Sequence, residues 1–477
     1  MNIPVVLIFL FVFLPLSGGG LLFAFPERGR KLLPFLFLVN SIISGYMIFT
    51  GFEDVLLFSG SFGVEIVFDP SGLILTLMNG IVFLSVSLSM ADRSFPPLTM
   101  ALISILHGTA NAVFISNDLF NIFVCVDLAG ILGFLLIRMG RKPRQVWSAV
   151  KYLVTANFGM ILYLLGCLQV YTHTGSFSIN SIGNVPPVAV ALLLTGLSVK
   201  GGILAMGLWI PEAYGEADAE VSALLSGVIT KVGLAPMFRI ASVSPLAHGF
   251  LSFIGPVAAI WGVLYAMAEK DLKKMLAYST LSQVGFAISV PALGPFYAAS
   301  HGIAKAWLFL SAGNMPGRSI EYLQKKGVEL SSWLPMVFGA LVIAGIPGSA
   351  LYIAKGLAMS YLEDWRLILL YLASLGTAVY YSKLMLIPPL KKGKLIKGSG
   401  LSHLILFVAL LAGGARAGSY GIFQVWSSLF LIFSGFSLYL LLRKRSFPVL
   451  PYWPEEIDHI MGLTVLFCLL IWGVFAL

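Results

Sequence analysis

The chain has 477 residues, of which 58% are hydrophobic and 11% charged, with a formal net charge of +9 at neutral pH. Soluble domains run nearer half apolar and a quarter charged, so a water-soluble globule is excluded. The positive charge sits in separated clusters rather than on one face, which excludes nucleic-acid binding and reads instead as membrane topology.

A helix needs about 20 mostly apolar residues to cross the hydrocarbon layer. In chain order the sequence predicts spans near 3–24, 32–51, 71–91, 97–115, 119–138, 147–170, 187–209, 220–240, 248–267, 275–291, 296–314, 331–361 (interrupted), 367–389, 401–416, 419–441 and 458–477. The first lacks a basic n-region and a small-residue cleavage site, so it is expected to be retained. The span at 401–416 is the weakest, being short and ending in Arg416. The expected fold is an all-α integral membrane protein of about 14–16 transmembrane helices. Its expected parts are N-terminal helices (1–96), a first five-helix repeat (97–240), a second (248–389) and C-terminal helices (390–477).

Most of the 30 basic residues lie between spans: Arg28, Arg30 and Lys31; Arg93; Arg138 to Lys151; Lys270, Lys273 and Lys274; Arg318, Lys325 and Lys326; Lys391 to Lys397; Arg443 to Arg445. The intervening segment 51–72 carries Glu53, Asp54, Glu65 and Asp69 instead. The positive-inside rule makes the basic loops cytoplasmic. The three cysteines, Cys125, Cys167 and Cys468, are far apart, which excludes a C-x-x-C site. No dinucleotide or Walker loop occurs, so redox chemistry is expected only on partner chains.

Five lysines interrupt apolar runs: Lys200, Lys231, Lys305, Lys355 and Lys383. A charged lysine at mid-bilayer costs about 2.5–3.5 kcal/mol on insertion scales, so each needs a partner or internal water. Lys383, close to the Lys391 cluster, reads as structural; the other four together read as functional. Asp127 is the carboxylate placed well inside a span, and a neighbouring lysine would favour its charged form. His301 stands four residues before Lys305, on the same helical face, whereas His107 and His403 read as ordinary hydrogen-bonded residues. Lys200 is followed by Gly201, Gly202 and Pro211, and Lys355 follows Gly345-Ile346-Pro347-Gly348. Interrupted helices at membrane depth are tolerated where they line a polar cavity. Breaks at matching places in two halves mark inverted repeats.

The stretches Lys200-Gly201-Gly202, Leu208-Trp209-Ile210-Pro211-Glu212-Ala213, Val221 to Gly233, Asp271 to Thr280 and His301 to Leu310 resemble the antiporter-like, proton-conducting membrane subunits. That family spans respiratory complex I, multisubunit sodium/proton antiporters and archaeal membrane-bound hydrogenases. Asn117-Asp118-Leu119-Phe120-Asn121 is most similar to the antiporter D-type and hydrogenase or sulfane sulfur reductase H-type subunits. The likeness covers roughly 60–395. It implies two inverted repeats and a polar axis at the midplane, with an acid–lysine gate at Asp127 and Lys200 and a relay through Lys231, His301, Lys305 and Lys355. The sequence departs from the family at Asp127 (usually Glu), Gly207 and Tyr214 (histidines), Asp218 and Glu220 (prolines) and Gly348 (a second proline).

The resemblance implies an ion-translocating subunit, for protons or sodium, of a redox-driven complex in the cell membrane. Its implied partners are another antiporter-like subunit, small membrane subunits and peripheral redox subunits. No cofactor is expected on this chain, and iron–sulfur or metal centres are expected on those partners. The alternatives are a sodium/proton antiporter subunit without a redox arm, and a partly degenerate structural subunit. The acidic run Glu212, Glu216, Asp218 and Glu220 reads either as a solvated turn or as an ion-access funnel or docking face.

Overall fold

The computed structural model describes residues 3–57, 64–91, 95–390, 397–416, 421–443 and scattered positions between 462 and 473. Near-continuous apolar sequence gives α1 (Ile3–Ile8) and α2 (Leu14–Ala24), joined through a π-helical turn at Phe9–Phe13 into one continuous helix. Pro26 opens α3 (Pro26–Thr50), which Gly51 ends in the left-handed conformation that glycine adopts without strain. A hairpin of β1 (Asp54–Leu57) and β2 (Glu65–Phe68), pairing Asp54 with Phe68 and Leu57 with Glu65, leads into α4 (Pro70–Ala91). This hairpin and the two-residue pair β3 (Val328–Glu329) and β4 (Pro389–Leu390) are the strands found among the described residues of an otherwise helical chain.

The next five helical segments are α5 (Pro97–Ile115), α6 (Leu119–Arg138), α7 (Pro143–Thr174), the broken pair α8 (Pro187–Gly201) and α9 (Trp209–Glu216), and α10 (Ala219–Leu224) running through a π turn into α11 (Thr230–Val243). Five more follow. They are α12 (Pro245–Ala268), α13 (Leu272–Ser289), α14 (Gly294–Gly313), the broken pair α16 (Leu330–Ala344) and α17 (Ala350–Ser360), and α18 (Trp365–Met385). The short α15 (Ile320–Lys326) precedes α16, and α19 (Lys397–Arg416) and α20 (Ile422–Leu442) end the described helices. In each set of five the fourth segment is the interrupted one.

Among the described residues ten helices are individually long and apolar enough to cross a membrane. The expected 14–16 is approached only by counting the interrupted and turned helices, whose lysines and glycine breaks lower local hydropathy and length. α8 and α9 meet at 42°. α13 and α14 turn through 113°, and with 18 and 20 residues each arm is about 27–30 Å long at 1.5 Å per residue, so each reaches across alone. The expected span at 458–477 lies mostly outside the described residues, as do the side chains of Arg28, Arg30 and Arg93 and the clusters at 391–397 and 444–445.

Polarity is arranged inside-out. α3 and α20 present Phe49, Phe430 and Phe433 outward, each at least 70% exposed, as lipid-facing surfaces do. The central residues of Ala219–Val243 are wholly enclosed by neighbours. At one end the loops between α6 and α7, α9 and α10, and α12 and α13 converge. There Arg318 binds Asp271 (2.8 Å) and Glu216 (3.3 Å), and Gln145 donates to the Glu216 carbonyl (2.9 Å). At the other end the Asn117 amide donates to the Glu65 carbonyl, and Ser178 to its carboxylate. Among the described residues Lys142, Lys273 and Arg318 thus gather at one end, and Glu65 and Asp69 lie at the other.

Candidate ion-translocation axis

The four lysines singled out by the sequence are withdrawn from lipid: Lys200, Lys231, Lys305 and Lys355 are at most 5% exposed. Lys231 is the second residue of α11, which follows directly on the π turn Leu225–Ile229. Such a turn widens the helix and is frequent at functional sites. Here the Ser226 carbonyl accepts from Lys231 Nζ (2.6 Å), and Thr230 Oγ1 lies 3.2 Å away. Across the gap to α14, His301 Nδ1 stands 3.2 Å from the same ammonium. His301 and Lys305, four residues apart, share one face of α14, so a single helix carries the row onward.

Lys305 is held by three oxygens: the Leu276 carbonyl (2.7 Å), the Ser279 hydroxyl and the Tyr381 hydroxyl (3.3 Å). Around it Ser279 bonds Tyr381 (2.9 Å), Gln283 donates to Thr377 (3.4 Å) and Tyr297 donates to Gln283 (2.7 Å). This ladder of neutral hydroxyls and amides follows α13 toward Phe286, whose ring lies 5.0 Å from Lys355 Nζ. Lys355 also donates to the Ile343 carbonyl (2.8 Å). That oxygen is in the last turn of α16, where the break leaves carbonyls without intrahelical donors and the helix end attracts cations. Gly345 and Gly348, both at positive φ, make the break, with Pro347 between them. Beside Lys355 opens a cleft of about 460 Å³, bordered by Ser360, Tyr371, Gln424 and Ser428.

Lys200 is placed differently. It ends α8 one residue before Gly201, and Gly202 turns the chain at φ +73°. Leu204 follows at φ +52°, a strained conformation that costs a non-glycine residue about 1–3 kcal/mol. The Lys200 ammonium has no hydrogen-bond partner among the described residues, and it stands 5.8 Å from the Tyr152 ring centroid. Asp127, partly exposed on α6, makes no ion pair with it within 4.0 Å. The two nevertheless belong to one locality: a methyl group at Gly130, three residues past Asp127, would overlap Lys200 Nζ. Asp127 and Lys200 are thus neighbours without an ion pair between them.

Two sequence expectations need correction. Pro211 does not break a helix; it lies in the first turn of α9, where a missing N–H costs nothing and the fixed φ suits helix initiation. The acidic run is a solvated turn only in part: Asp218 is exposed, but the other carboxylates are half-buried or buried. Glu212 pairs with Lys151 (2.9 Å), Glu216 with Arg318, Asp218 accepts from Gln145 (3.4 Å), and Glu220 is 2% exposed with Ser89 at 3.5 Å. Lys142, Lys273 and Arg318 join Glu216, Asp218 and Glu220 around a cleft of about 390 Å³ on the basic face.

Sequence reading also missed Lys151, grouped with the loop cluster but buried two turns inside α7. Its signal was present: the helix begins at Pro143, so position 151 lies well within it. The polar ladder on α13 was missed because Ser, Thr and Gln carry no charge to stand out in an apolar run. Lys383 donates to the carbonyls of Ala266, Met267 and Glu269 and so caps α12, a structural contact. His403 bonds Ser311 (2.9 Å). Among the described residues no three His, Cys, Asp or Glu side chains converge as a metal site.

Comparison with known proteins gives the arrangement a context. The sequence profile of the family described as "NADH:quinone oxidoreductase/Mrp antiporter, TM" matches residues 116–380. The chain is 28% identical over 304 residues to the N subunit of the NADH-quinone oxidoreductase of Desulforudis audaxviator, covering 57% of this chain and 60% of that one. It is 28% identical over 331 residues to the D-type subunit of the Na(+)/H(+) antiporter of Alkalihalophilus pseudofirmus, covering 62% and 66%. The matched parts thus span under two thirds of either relative's length. In fold it is similar to a chain of the membrane-bound sulfane sulfur reductase, an archaeal respiratory membrane complex, with TM-score 0.77 at 20% identity over 91% of this chain and 99% of that chain.

Proposed function

The chain belongs to the NADH:quinone oxidoreductase/Mrp antiporter transmembrane family, and on that footing we propose that it is an ion-translocating membrane subunit of a multisubunit redox-driven complex. The carrying observation is the Lys231–His301 contact at 3.2 Å inside a row of buried ammonium groups. In hydrocarbon such groups are retained at a cost of several kcal/mol unless hydration or exchange offsets it.

In this reading a proton reaches Lys231 from the basic-face cleft and exchanges through His301 and Lys305 along the α13 ladder. It then reaches Lys355 and its cleft. Helix axes about 8–10 Å apart leave gaps that water fills. Asp127 and Lys200 form the gate: closed, the carboxylate stabilises the ammonium; open, Lys200 releases its proton toward Lys231. Residues 97–240 and 248–389 act as two inverted five-helix units, one ending in Lys231 and the other carrying Lys305 and Lys355. The basic loops face the cytoplasm of a cell membrane. The partners are further membrane subunits, a second antiporter-like chain among them, with peripheral subunits bearing iron–sulfur or metal centres.

A second reading, a subunit of a sodium/proton antiporter without a redox arm, is favoured by the likeness to the D-type antiporter chain. The composition of the purified native complex separates the two. Iron–sulfur or nickel-site chains support the first reading, and small membrane chains alone support the second. Proton and sodium flux in vesicles holding that complex tests both, and absence of either flux leaves a structural subunit.

A further inference from the structure

The wall that α6 turns toward Lys200 is hollowed by two buried glycines, Gly130 and Gly133, about one turn apart. A methyl group at Gly130 would overlap the Lys200 ammonium and stand 3.8 Å from Tyr152 Oη. One at Gly133 would stand 3.0 Å from the same phenolic oxygen and 3.0 Å from Ile229 Cδ1. Ile229 closes the π turn that leads into Lys231. The ammonium and the phenol therefore share one groove on α6, open because both positions lack a side chain. Asp127 borders the same groove, three residues before Gly130 and so its neighbour on the helix surface. Asp127, Gly130 and Gly133 follow one another at about 4.5 Å along the axis. The order runs from carboxylate to ammonium to phenol, toward the end of α6 at Arg138.

The two ends of the groove offer the ammonium different acceptors. A lysine carries its charge on a flexible four-carbon stem, so a shift of a few ångströms needs only a change of rotamer. The phenol, by contrast, is fixed from its far side. Its ring packs on Trp209 (4.7 Å between centroids), and the Trp209 indole donates to the Val199 carbonyl (2.9 Å), one residue before Lys200. Beside Tyr152 in the chain, Lys151 binds Glu212 (2.9 Å), three residues beyond Trp209 on α9. α7 thus holds the second half of the broken helix through both residues, and Tyr152 Oη keeps its place at the groove while Lys200 moves.

We propose that Tyr152 is the second seat of the Lys200 ammonium: released by Asp127, the ammonium moves along the glycine groove and donates to the phenolic oxygen, which presents it to the π turn ahead of Lys231. The inference rests on the ion-translocation reading and adds where the opened gate holds its cation. Tyr152 is a positioning residue here; no proton passes through it. Its oxygen accepts a hydrogen bond from an ammonium without bearing a charge. The contact is therefore weaker than an ion pair with a carboxylate, and the lysine is held without being trapped.

A map of the native complex carrying Asp127→Ala tests the seat directly. With the carboxylate gone, Lys200 Nζ is expected within hydrogen-bond reach of Tyr152 Oη, and an ammonium still out of that reach overturns the proposal. This arm requires no transport activity, so its failure is distinct from failure of the ion-translocation reading. The functional arm uses Tyr152→Phe, which keeps the ring on Trp209 and removes the oxygen alone. In vesicles of equal complex content its coupled flux is expected to fall severalfold at an unchanged melting temperature; unchanged flux is contrary. The losses from Tyr152→Phe and Asp127→Ala are expected to be non-additive in the double variant, because both act on one ammonium. Additive losses would make the phenol a packing residue and overturn its role as a seat.

Discussion

Lys200 and Lys305 belong to different sets of five helices and are solvated in opposite ways. Lys305 is surrounded by three neutral oxygens, and its neighbours Ser279, Gln283, Thr377 and Tyr381 are bonded to one another. Beside Lys200 the Tyr152 hydroxyl is idle: neither it nor the lysine ammonium, which stands 5.8 Å from the Tyr152 ring centroid, has a hydrogen-bond partner among the described residues. A buried cation without partners must be hydrated or lose its charge, whereas one with three acceptors is solvated by the protein itself. If the proposed translocation route holds, this contrast puts its gate at the Lys200 end, beside Asp127, and its conducting stations at the Lys305 end, where the surroundings are fixed.

Removing a fixed station is expected to have the largest effect. Lys305→Ala should bring ion flux to background in vesicles while the complex still assembles; substantial residual flux would mean that the α13 ladder is not the route. Next comes a packing change at the gate. A methyl group at Gly233 would collide with the backbone of Lys200 and Gly201, and overpacking of this kind costs about 1–3 kcal/mol. Gly233→Ala should lower the melting temperature of the purified complex and flux together, and a loss of flux at unchanged stability would assign the close contact a gating role. Asp127→Asn should assemble normally but weaken coupling of flux to its driving reaction, and unchanged coupling removes Asp127 from the gate. The smallest effect is expected from Tyr381→Phe, which deletes one of three Lys305 acceptors. One hydrogen bond is worth about 1 kcal/mol, roughly a fivefold change in rate, so a loss beyond that would show the hydroxyl itself passing the proton.

Hydropathy made most of the fold legible, because a lipid-facing helix must be apolar along its whole length, as α3 and α20 are. The lysines were legible for the same reason reversed, since an ammonium in such a run is out of place. What escaped depended on tertiary contact. The π turns at Phe9–Phe13 and Leu225–Ile229 leave no mark in sequence because an extra residue per turn is set by packing. Pro211 looked like a breaker, but the break at Gly202 had already made its position a helix start. The acidic run read as solvated because its partners, Lys151 and Arg318, are 61 and 102 residues away from Glu212 and Glu216. That Asp127 and Lys200 are neighbours without an ion pair is likewise a matter of conformation, which side-chain chemistry alone does not fix.

The most direct measurement replaces Lys231, which stands 3.2 Å from His301 across the gap between α11 and α14. With the native complex in sealed vesicles, Lys231→Ala is predicted to abolish coupled proton or sodium flux while complex composition and any electron-transfer activity persist. Wild-type flux through that variant would contradict a continuous route through the buried row.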